Sequence, residues 1–134
     1  MKTFKISLLA VCMLVVSLCM NTVSAQSKLD SWPQIKEFHK VMAQTFHPSE
    51  EGNFEPIKKR SGEMVEKANA LTAQAIPTDF NTDKIKDAVA RLQKGSKELD
   101  ELIKKGASDK KIAKKLASLH DVFHEIVGLC SHVE

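Results

Sequence analysis

Two imidazoles stand four positions apart in LHDVFHEIVGLC, residues 119–130, and a third, His39, sits in the apolar run IKEFHKVMAQTF, residues 35–46. Neutral imidazole is a ligand for copper, zinc and nickel, so the chemistry these residues offer first is metal coordination. On a helix, side chains at i and i+4 lie about 5–6 Å apart at Cβ, close enough for His120 and His124 to grip one ion. If the segments holding His39 and the pair are antiparallel neighbours, His39 lies seven residues, about 10 Å, inside the first helix. The same distance back from residue 129 falls near residue 122, between His120 and His124, so the three are expected to share a layer with His39 on the buried face.

Further ligands are available to such a layer. Met42, one turn deeper, and Met64 could add soft sulfur or merely line it, and Cys130 is kept as a third sulfur. His47 stands beside Glu50, Glu51 and Glu55 in FHPSEEGNFEP, a mixture able to hold a cation but better read as an acidic turn entering a helix. The lysines at 104, 105, 110, 111, 114 and 115 form a basic end best read as a solvated face. A nucleophile with its base, a glycine-rich phosphate loop and paired carboxylates are all missing from the sequence, so no enzyme is expected.

These side chains need elements to carry them. Residues 1–25 read as a secretory signal peptide: a basic start, an apolar run from Ile6 to Met20, then small residues at Val23-Ser24-Ala25. A bulky Leu18 before Cys19 fits a lipid anchor poorly. Cleavage after Ala25 would leave residues 26–134 as one domain, periplasmic or secreted, with no stable membrane insertion. Lys2 and Lys5 leave with the signal, so 18 basic residues face 17 acidic ones. That balance lacks the concentrated basic surface a nucleic-acid partner requires. Cys12 and Cys19 leave as well, and Cys130 alone allows no internal disulfide.

The mature segment predicts four amphipathic helices. The first opens at Ser31, capped with Gln34, carries Ile35, Phe38, His39, Met42 and Phe46 on one stripe, and stops before Pro48. The second begins after Asn53, buries Phe54, Ile57, Met64, Ala68, Leu71 and Ala75, and is closed by Pro77. The third runs from about Thr82 to Lys105 with Ile85, Val89, Leu92, Leu99 and Leu102 inward, and Gly106 ends it. The fourth is capped by Ser108 and turns Ile112, Leu116, Leu119, Phe123, Ile126, Val127 and Cys130 to the core. Short connections make neighbours antiparallel, so the expected fold is all-α, an up-down-up-down antiparallel four-helix bundle.

In size, export, helix order and final helix, the chain resembles the periplasmic b-type and c-prime cytochromes built as four-helix bundles. The c-type members carry Cys-x-x-Cys-His near the C-terminus, where this sequence has His120-Asp121-Val122-Phe123-His124. The resemblance implies that His124 takes the place of the haem-ligating histidine, while His120 and Phe123 stand at the cysteine positions, which excludes covalent haem. It implies non-covalent haem b, with His39 or Met42 opposite, as the alternative cofactor. His120 is an imidazole that a haem site does not require, which favours a bare copper, zinc or nickel ion held for storage, sensing or delivery. A metal-free bundle acting on a protein partner through its surface is the further alternative.

Overall fold

The computed structural model describes residues 29–132. The expected signal peptide and its cleavage site, with Cys12 and Cys19, lie outside these residues. Within them the chain forms a four-helix bundle: α1 (Pro33–Glu50), α2 (Glu55–Ala70), α3 (Asp83–Lys104) and α4 (Asp109–Ser131), with a short 3-10 turn at Thr78–Phe80 before α3. No strand occurs among the described residues, and no helix there is long and apolar enough to cross a membrane. Each helix packs on its neighbour in sequence, and α1 closes on α4 along the sparsest of the four seams.

The ends of the helices explain where the elements depart from the sequence expectation. The N-cap of α1 is Trp32 rather than Ser31, and Pro33 begins the helix, where its missing N–H costs nothing. Gln34 donates to the Gln74 side chain at 3.4 Å. Pro48 lies inside α1, which runs on to Glu50. Backbone bonds from Glu51 and Asn53 to the Pro48 carbonyl, at 3.1 and 2.9 Å, hold this last turn, and Gly52 at φ +82° turns the chain away.

The second helix is shorter than expected. It ends at Ala70, well before Pro77, where the Ala68 carbonyl accepts from the Leu71 N–H at 3.2 Å and from the Gln93 side chain of α3 at 3.1 Å. Gln93 also donates to the Thr72 hydroxyl at 2.8 Å, so the end of the helix is bonded from across the seam. Ala75 is consequently exposed, and Phe80 instead enters the core, its ring 5.9 Å from that of Trp32.

The third and fourth helices follow the pattern closely. Thr82 caps α3 by accepting from the Ile85 N–H, and Gly106 at φ +71° ends it with Ala107 bonded back to Leu102. Leu102 is only half-buried. Ser108 is the N-cap of α4 through its extended backbone, without a side-chain cap bond. The core is a continuous apolar cluster running from Trp32 and Ile35 to Ile126 and Cys130. Gly95 lets α3 approach α4 so closely that a Cβ there would stand 2.6 Å from Leu119 Cδ2.

Candidate metal site

The seam between α1 and α4 is built from rings. From α4, His120 and His124 project on successive turns, half-buried and exposed respectively. Their Nε2 atoms are 3.1 Å apart, one donating to the other, with the rings nearly perpendicular at 79°. Phe46 of α1 lies flat on His120 at 3.9 Å between centroids, and Phe123 meets His124 edge-on at 5.8 Å. Both imidazoles are thus braced by a phenyl ring, which limits the rotamer freedom a ligand would otherwise have to suppress.

His39 occupies a different place from the one its spacing suggested. It is exposed rather than on the buried face, and its ring lies flat on Phe123 at 4.9 Å. Phe123 stacks in turn on Phe38, at 5.8 Å. The common layer is staggered: His39 is level with Phe123, and Phe46, seven residues further along α1, is level with His120. His124 is the member whose field reaches both His39 and His120.

Desolvation is the largest influence on His39 and His120, and it lowers both from the ordinary value of 6.5. The field of His124 adds to the lowering at both residues, and that of His47 contributes at each as well. Both imidazoles are thereby biased toward the neutral form that coordinates metals.

The other candidates are scattered. Met42 and Met64 are fully buried in the apolar core. Cys130 is 1% exposed, and burial pushes its thiol up to about 11, so it stays protonated and poorly suited to hold a metal. His47 is exposed and pairs with Glu50, Nδ1 to Oε2 at 3.0 Å. Glu125 is held by Arg91 at 2.6 and 3.0 Å. Among the described residues no three His, Cys, Asp or Glu side chains are gathered closely enough to hold one ion together.

Beside the pair runs a groove of about 420 Å³, lined by Ile35, Lys36, His39, Phe123, His124 and Val127, with Leu29 at its edge. Sequence reasoning missed the two phenyl rings that position the imidazoles. Their spacing marks Phe46 and Phe123 only as core, although Phe46 is half-buried. A phenylalanine directly before His124 and another seven residues after His39 carry no distinctive signal until the helices are docked. Compared with models of known protein families, with curated proteins and with solved structures, the chain matches none of them.

Proposed function

We propose that the chain is an exported transition-metal-binding protein: a signal peptide removed after Ala25, then an up-down-up-down antiparallel bundle of residues 26–134 that stores, senses or delivers copper, zinc or nickel. His120 and His124 grip the ion. The observation that carries this reading is the convergence of their Nε2 atoms at 3.1 Å. Two nitrogens 3.1 Å apart, each about 2.05 Å from an ion, would make an angle of about 100° at it, near that of tetrahedral coordination, once the rings tilt toward a common point. The proton now between the nitrogens would move to Nδ1 of its own ring as the ion enters, so that both imidazoles stay neutral. His39, held on Phe123, is the third imidazole of the seam and lies within the field of His124.

Copper, zinc and nickel are titrated into the metal-free protein with melting temperature as the readout. Binding to the folded state alone raises stability by about 2.7 kcal/mol at a hundredfold excess of free ion over Kd. His124→Ala should abolish the rise, and His47→Ala should leave it. No rise with any of the three ions would end the reading.

A second reading rests on the groove. His39 and His124 both line it among apolar side chains, and these two imidazoles would be the residues to hold a non-covalent haem there. It carries the resemblance to b-type cytochromes with it. An intense violet absorption band on adding haem, lost in both His39→Ala and His124→Ala, would establish it over the bare ion.

A further inference from the structure

The α4 pair supplies two nitrogens, and a zinc ion in a closed site takes four ligands. Among the described residues nothing is placed to supply the rest without rearrangement: no third ligand-type side chain is grouped with the pair, His39 is stacked on Phe123, and Glu125 is tied to Arg91. Of the pair, His124 is exposed and His120 is half-buried against Phe46.

Its surroundings on the helix are unusual for so charged a chain. At 100° per residue, Ala113, Ala117, His120, His124, Gly128 and Ser131 fall on one stripe of α4. None is charged: Lys114, Asp121 and Glu125 lie to one side of the stripe, and the other side turns through Val127 to the core positions Leu116 and Phe123. All six are half-buried or exposed, and a Cβ added at Gly128, one turn beyond His124, would meet nothing within 4 Å. Small uncharged residues flanking the pair allow a second helix to come close without burying an unpaired charge.

We infer that the ion is shared by two copies of this chain, His120 and His124 of each supplying two of four ligands about a two-fold axis. The inference rests on the metal-binding reading above and names its partner. A two-fold axis through the ion brings the same patch of both copies together, and it doubles two imidazoles into a closed set of four. His39 stays on Phe123 and takes no part. The site is incomplete in one chain, so the ion is the cement of the dimer.

Zinc is titrated into the metal-free protein, with calorimetry giving the stoichiometry and light scattering the mass. Sharing predicts saturation at one zinc per two chains, doubling of the mass along the same titration, and return to single chains on adding a chelator. His39→Ala should change neither quantity. His124→Ala should abolish both. Gly128→Leu places a bulky side chain on the stripe without touching the ligands, and should weaken zinc binding at least tenfold and suppress the doubling. Its helical spectrum, checked first, should match that of the wild type, since the position is open; should it not, Gly128→Gln takes its place in the same assay. One zinc bound per chain of unchanged mass, with His39→Ala abolishing that binding, would overturn the sharing and leave the metal-binding reading standing. No zinc bound at all would overturn the sharing, and the metal-binding reading would fall with it only if copper and nickel also failed to bind.

Discussion

The α2–α3 seam buries its polar groups and the α1–α4 seam leaves its imidazoles half-buried or exposed, and the two treat them in opposite ways. Between α2 and α3, Ser61 donates to one oxygen of Asp100 at 2.8 Å and Lys104 donates to the other at 2.6 Å. Gln93 meanwhile bonds the end of α2 from across the same seam. Every lone pair that matters is spoken for, so this seam fixes the register of two helices and has nothing left to offer a ligand. Between α1 and α4 the polar atoms are imidazole nitrogens, stacked on phenyl rings and bonded only to each other at 3.1 Å. Saturated polar contacts make structure, whereas donor atoms held in place but incompletely used make a site.

The hardest test of the contrast removes the ring on which the open seam rests. Phe123 is 4% exposed and carries Phe38 on one side and His39 on the other. Phe123→Ala should cost about 3–5 kcal/mol in denaturant unfolding, the usual range for such a truncation. It should also weaken metal binding, because both imidazoles beside it lose their support. A loss under about 1 kcal/mol would mean the seam is not packed as described.

Asp100→Ala comes next. It leaves the Ser61 hydroxyl, 5% exposed, without its acceptor, and about 1–3 kcal/mol of stability should go with it. Metal affinity should not move, since the closed seam takes no part in binding. Adding Ser61→Ala should recover part of the loss by removing the stranded donor, and a strictly additive pair would refute the coupling.

Acid should separate the seams by pH. Desolvation is the first cause lowering His39 and His120, helped by the neighbouring imidazoles, so the folded protein binds these protons less readily than the unfolded chain. Stability is therefore fully present above 6.5 and drains away as pH falls below it toward the lowered folded values. For Asp100, burial pushes the carboxyl up, but the bonds from Lys104 and Ser61 outweigh it and the net shift is downward from 3.8. Its contribution is present above 3.8 and disappears only as pH falls through the lower folded value. Denaturant midpoints measured with a chelator present should show two descending steps. His39→Gln with His120→Gln should erase the upper step, and Asp100→Asn the lower.

Most of the fold could be read in the sequence because apolar spacing decides which face of a helix leaves water. The error at His39 shows where that signal fails. The spacing of Ile35, Phe38, Met42 and Phe46 predicts one stripe, but the buried face also holds Val41, Thr45 and Ser49. Thr45 donates to the Val41 carbonyl at 2.9 Å and Ser49 to that of Phe46 at 2.6 Å, so each hides its hydroxyl on its own helix and packs like a small apolar residue. Counting them swings the centre of the face away from Phe46, and His39, roughly 100° round from Phe38, passes to the margin. The end of α2 was unreadable for another reason, since Gln93 lies on a different helix. At the site itself, the spacing of His120 and His124 was legible, but the rings that aim them belong to docked partners.

The smallest effects probe how tightly each seam is closed. Glycine inside a helix costs roughly 1 kcal/mol relative to alanine, so Gly→Ala stabilises wherever the added methyl finds room. Gly128, on the outer stripe beside the histidines, has open space, and Gly128→Ala in metal-free protein should raise stability by about 0.5–1 kcal/mol. Gly95 faces α4 with Leu119 Cδ2 only 2.6 Å from where its Cβ would stand, and Leu119 is itself 2% exposed. The leucine can retreat only by disturbing the core around it, so Gly95→Ala should lose the propensity gain and more, a net cost of about 1–3 kcal/mol. Thermal unfolding of the two variants side by side decides the matter. Equal gains would mean that α3 and α4 are no more closely apposed than the free face of α4, and the distinction between closed seams and an open one would fail at the scale of a single methyl group.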